Sequence, residues 1–143
     1  MSKDLLEIRL NTVDGKVKLA ASTDDDPEIA LDYFPPVGTG EGYTPLELIL
    51  ISFTGCVSTV LITYLRSILK KQVVSLSAKA EGDVRQEHPK ALTHIRVALI
   101  FRSQDLEEQD VRTALKAAET RLCPVWAMLK GNVETEVKFA IER

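Results

Sequence analysis

The chain's patterning predicts an α+β fold, and three observations carry that reading. Short segments that alternate apolar and polar residues lie on both sides of an uncharged apolar stretch, and a period of two marks half-buried strands. The stretch itself, Leu48 to Leu65, is too long for a strand and opens on a helix-start signal. The strands are gathered before and after it and do not alternate singly with helices, so the repeating unit of a parallel sheet is excluded.

In order, Leu6, Ile8 and Leu10 alternate with Glu7, Arg9 and Asn11 in a first strand, and Asp14-Gly15 marks a hairpin turn. Val17 and Leu19 alternate with Lys16 and Lys18 in the returning strand. After the acidic loop Asp24 to Asp26, a third strand runs through Ile29, Leu31 and Tyr33, which completes an N-terminal three-stranded antiparallel sheet. The glycine- and proline-rich link Pro35 to Tyr43 is the kind of loop that moves and rims pockets.

The central helix then spans Thr44 to Lys70. Thr44 is its N-cap, Pro45 its first residue, and Glu47 closes a capping box, while Arg66, Lys70 and Lys71 suit the C-terminal end of the dipole. No charge occurs between Glu47 and Arg66, and apolar side chains lie on every face, so the helix is expected to be buried on nearly all sides. Its length approaches the roughly 20 residues of a membrane span. Ser52, Thr54, Ser58, Thr59 and Thr63, together with the soluble-sheet pattern of its flanks, favour a core helix instead. One chain of 143 residues is too small to sheathe it, which implies a homodimer.

Beyond the helix, Val74, Leu76, Ala78 and Ala80 alternate in one strand and Ile95, Val97, Leu99 and Phe101 in the next, joined by a polar connection from Gly82 to Leu92 as a hairpin. Asp105 and Glu108 have the spacing of a second capping box, ahead of the apolar stripe Val111, Ala114, Leu115 and Ala118. Cys123-Pro124 ends that helix and starts a short one, stopped by Gly131. Val133, Thr135, Val137, Phe139 and Ile141 alternate in the final strand.

Length and composition predict a single domain over 1–143. A net charge of -3 without a basic cluster argues against nucleic-acid or anionic-membrane partners. The N-terminus lacks the apolar run of a signal peptide, which predicts a cytoplasmic protein. In a reducing compartment its two cysteines, Cys56 and Cys123, read as buried core thiols or a catalytic pair and not as a structural disulfide. His88 and His94 lack ligand spacing, and neither a phosphate-binding glycine loop nor a dinucleotide fingerprint occurs, so no metal or other cofactor is expected.

At PLELILISFTGC (Pro45 to Cys56), THIRVAL after the helix, and LCPV (Leu122 to Val125), the sequence resembles the OsmC/Ohr superfamily of osmotically inducible and organic-hydroperoxide-resistance proteins. Its short link and Pro-x-Glu form look closer to the OsmC-like, YhfA-type branch than to the peroxidase branch. The resemblance implies an intertwined homodimer with the long helices at its centre. It also implies thiol-dependent reduction of organic hydroperoxides in oxidative-stress defence, with Cys56 as peroxidatic thiol, Cys123 as resolving thiol and a dithiol, often lipoyl-linked, as reductant.

Two family positions differ. Val13 stands where peroxidase members carry an arginine before the Asp-Gly turn, and Leu46 where they carry a glutamate. Arg9 and Glu47 are the nearby candidates for substrate binding, although Glu47 lies about half a turn from Cys56 around the helix and already serves the cap. At a helix N-terminus, Cys123 is the thiol expected to favour negative charge. The alternatives are a non-enzymatic dimer binding a small apolar ligand, and a thiol redox sensor.

Overall fold

The computed structural model describes residues 4–143, and the chain divides into two compact units, Met1–Leu48 and Ile49–Arg143. In the first, β1 (Arg9–Thr12), β2 (Leu19–Ser22) and β3 (Ile29–Leu31) form an antiparallel sheet in that order. Leu10 faces Ala21, and Leu19 faces Leu31. These strands are shorter than the alternation predicts, because Leu6, Ile8, Val17 and Tyr33 fall outside the ladders and remain exposed. The first turn runs from Val13 to Lys18, whose N–H···O=C bond is 3.1 Å, and Asp14 accepts the N–H groups of Lys16 and Lys18.

The link from Pro35 to Tyr43 is held by the buried carboxylate of Asp32. Asp32 accepts the backbone N–H groups of Tyr33 (2.8 Å), Thr39 (3.3 Å) and Glu41 (3.1 Å), and the Thr39 hydroxyl at 2.8 Å. Gly38 has no room for a side chain, since a Cβ there would fall on Asp32 Oδ1 and the Tyr33 backbone. Gly40, at φ +73, takes the left-handed conformation that favours glycine.

Helix α1 (Pro45–Ser67) opens on the predicted capping box, with Glu47 N–H donating to Thr44 Oγ1 at 3.3 Å and Thr44 N–H to Glu47 Oε1 at 2.9 Å. In the second unit this chain buries one stripe of it, Phe53, Val57, Leu61 and Leu65. The expected burial on nearly all sides is thus not met within one chain, where Ile49 and Ile51 stay exposed.

The second sheet has the order β4 (Ser75–Val84), β5 (Leu92–Arg102) and β6 (Glu134–Glu142). β4 and β5 make the predicted antiparallel hairpin, with an irregularity at Asp83/Val84, and β6 joins β5 in parallel. β5 is the middle strand, and Ile95, Val97, Leu99 and Phe101 on its inner face are buried. Leu50 of α1 lies over Gly82 of β4, where an added Cβ would meet its methyl group.

Helix α2 (Glu108–Ala117) begins two residues later than the proposed box implies. Glu107 is its N-cap and donates its N–H to the Asp110 carboxylate at 2.9 Å. Asp105 is occupied elsewhere, accepting Gln72 N–H at 2.9 Å and the Ser103 hydroxyl at 3.2 Å. A π-helical turn over Ala118–Leu122 follows, and then α3 (Pro124–Leu129).

Candidate functional site

The last turn before Cys123 and the first turn after it set that residue's position. A proline biases the preceding residue toward extended backbone, and Cys123, at φ -88 and ψ 108, leaves the helix to become the N-cap of α3. Its N–H closes the π-helical turn onto the Ala118 carbonyl at 3.0 Å, and its Sγ accepts the Trp126 N–H at 3.4 Å. Cys56 lies midway along α1, on the turn that follows Phe53.

These elements bring the two sulfurs together from 67 residues apart in sequence. Both cysteines are free thiols, and Cys123 Sγ donates toward Cys56 Sγ at 2.9 Å. Cys123 is buried and Cys56 half-buried, and beside Cys56 the space at Gly55 is open, with nothing within 4 Å of a Cβ placed there. The approach to Cys56 is therefore the more open of the two.

Burial pushes the Cys123 thiol up to about 11, and its hydrogen bond to Cys56 acts in the same direction. The Trp126 N–H opposes both and is outweighed. The negative charge expected of Cys123 at its helix N-terminus is thus not favoured, because burial of the sulfur outweighs the N–H groups of Trp126 and Val125. Burial and the hydrogen bond to Cys56 together hold the proton on Cys123.

Trp126 is the residue that sequence reasoning missed. Besides its backbone bond to Cys123, its indole Nε1–H donates to Thr135 Oγ1 of β6 at 3.0 Å. Its ring meets that of Phe53 edge-on, with centroids 5.3 Å apart and planes at 89°. An aromatic three residues after a cysteine N-cap was the available signal.

Arg9 and Glu47 have partners within the N-terminal unit. Arg9 Nε pairs with Asp24 at 3.1 Å on the surface, and Glu47 serves the cap of α1. In the second unit a cleft of about 500 Å³ is lined by Tyr64, Arg112, Lys116, Thr120 and Arg121 among others. In the first, an apolar cavity of about 390 Å³ is lined by Val17, Leu19, Leu31, Tyr33, Val37 and Pro45, with Asp32. Among the described residues no three His, Cys, Asp or Glu side chains gather as metal ligands; His94 lies 3.7 Å from Glu134 and 3.9 Å from Glu136.

The family model described as OsmC-like protein matches residues 38–138. Protein YhfA of Escherichia coli K12 is 28% identical over 98 residues, which cover 68% of this chain and 72% of that protein. A hypothetical protein from Aquifex aeolicus superposes with a TM-score of 0.84 at 21% identity, over 98% of both chains. An organic hydroperoxide resistance protein from Legionella pneumophila superposes with a TM-score of 0.69 at 18% identity, over 96% of this chain and 99% of that one. At these identities the two superpositions demonstrate a common fold.

Proposed function

Because the chain belongs to the OsmC-like protein family, we propose that Cys56 and Cys123 form a thiol-dependent peroxidase centre that reduces organic hydroperoxides. The observation that carries this reading is the 2.9 Å approach of two reduced sulfurs, one donating and the other accepting. Cys56, the acceptor and the more open sulfur, attacks the peroxide oxygen as a thiolate. The O–O bond breaks, the alkoxide leaves and takes up a proton as alcohol, and Cys56 becomes a sulfenic acid. Cys123 sulfur then attacks Cys56 sulfur. The S–O bond breaks, hydroxide leaves with the Cys123 proton as water, and a disulfide of about 2.05 Å forms.

A dithiol reductant, lipoyl-type or similar, restores both thiols by two exchange steps. The name of the Legionella relative supports the substrate class. In this reading the protein works as a cytoplasmic homodimer, its second copy covering the apolar side chains of α1 that one chain leaves exposed.

Consumption of an alkyl hydroperoxide, followed together with thiol counting, tests the proposal. The parent protein should lose two thiols per chain and recover them with dithiol, and Cys56→Ser should abolish consumption. Cys123→Ser should accumulate the sulfenic acid. Equal consumption by Cys56→Ser and the parent would end the peroxidase reading. A second reading, a dimer that binds a small apolar ligand, draws on the 390 Å³ apolar cavity of the N-terminal unit and on Val13 and Leu46 at the family's arginine and glutamate positions. It predicts slow oxidation and a ligand that copurifies. A redox sensor using the same disulfide would oxidise without turning over peroxide.

A further inference from the structure

We infer that Thr135 and Trp126 are positioning residues that hold Cys123 at bonding distance from Cys56, so that they govern how fast the disulfide closes and not how fast Cys56 meets its oxidant. This inference rests on the oxidation of the pair proposed above. Three contacts of one side chain and its backbone carry it. The Trp126 indole N–H is tied to Thr135 Oγ1 at 3.0 Å, and Thr135 stands in β6 in register with the fully buried Ile95 of β5. The ring edge meets Phe53, which lies one helical turn before Cys56 on α1. The Trp126 backbone N–H reaches Cys123 Sγ at 3.4 Å.

The second sheet, the Cys123 end of α3 and α1 one turn before Cys56 are therefore joined through one residue that is 5% exposed. Cys123 itself sits at a break, where the π-helical turn ends and α3 begins on a new axis, so the Sγ direction depends on how α3 is seated. Without the tie to Thr135 the indole N–H is left buried and unpaired, and α3 can swing on that break. A sulfenic acid on Cys56 would then wait longer for Cys123 and be open to a second peroxide, which carries it to the sulfinic acid.

Thr135→Val removes the hydrogen bond at nearly constant volume, and Thr135→Ser keeps it. Each reduced protein is mixed with an organic hydroperoxide, and sulfenic acid trapped by dimedone and remaining thiols are followed in time. Oxidation of Cys56 should proceed at the parent rate in both variants. Disulfide closure should fall about tenfold in Thr135→Val and be restored in Thr135→Ser. Sulfinic acid should accumulate in Thr135→Val alone. Closure at the parent rate in Thr135→Val overturns the inference, as does an equal slowing of both steps, which is what general destabilisation would produce.

Diamide, an azo oxidant that takes two hydrogens from a thiol pair, drives closure without peroxide and separates this inference from the peroxidase reading. If hydroperoxide oxidises no variant but diamide closes Thr135→Val about tenfold slower than the parent, peroxidase chemistry fails and the positioning role stands. Equal diamide rates remove the positioning role. Trp126 is the only tryptophan of the chain, so its emission gives a second record of closure in the same samples.

Discussion

At the residue scale, two buried groups hold their protons in opposite ways. Cys123 titrates at about 11 against an ordinary 9.0, chiefly because burial disfavours its thiolate. The folded protein therefore binds this proton more tightly than the unfolded chain, and the contribution of Cys123 to stability is full below about pH 9 and declines as pH rises toward 11. Urea midpoints measured across that interval should fall, and Cys123→Ser should flatten that part of the profile. Asp32 is held down to about 2, first by the Glu41 N–H and also by those of Tyr33 and Thr39 and the Thr39 hydroxyl. Its contribution is present above its ordinary 3.8 and is lost as pH falls through about 2. Asp32→Asn should weaken the acid limb and raise exchange of the Thr39 and Glu41 amides, and Gly38→Ala should disrupt the same loop by forcing a Cβ onto Asp32. The cysteines were readable in the sequence because a motif surrounds each. Asp32 was not, because its partners lie seven and nine residues away in an irregular loop. Trp126 was not singled out in the sequence, since its ring contacts come from two other elements.

At the scale of elements, local signals were readable and tertiary choices were not. The α1 cap came out as predicted because Thr44, Pro45 and Glu47 are neighbours, whereas two overlapping pairs at the start of α2 have capping spacing. Tertiary contacts decided between them, as Gln72 N–H claims Asp105 and the helix takes Glu107 and Asp110. Asp110→Ala should cost about 1 kcal/mol, measured by denaturant unfolding. Alternation assigned the faces of β6 but could not name its neighbour, so its parallel pairing to β5 emerged only in three dimensions. Within α1, Leu61 belongs to the buried stripe, and Leu61→Ala should destabilise by about 2–5 kcal/mol in the same assay.

On the scale of the whole molecule, the α+β class and its order of elements were legible because strand and helix periods differ so plainly along the chain. The burial of α1 on its remaining faces was read as the work of a second copy. An apolar sequence states that a surface avoids water without stating whose atoms cover it, and this chain covers one stripe. A second copy is the cover proposed, so sedimentation should give twice 15.9 kDa, and a stable monomer at micromolar concentration would remove that proposal. The central claim concerns the two sulfurs. After one equivalent of an organic hydroperoxide, intact-mass analysis of the denatured protein should find two hydrogens lost per chain, with digestion yielding a peptide pair joined through Cys56 and Cys123. Two unmodified thiols after that exposure, or a lasting oxidation of Cys56 that never passes to Cys123, would contradict it.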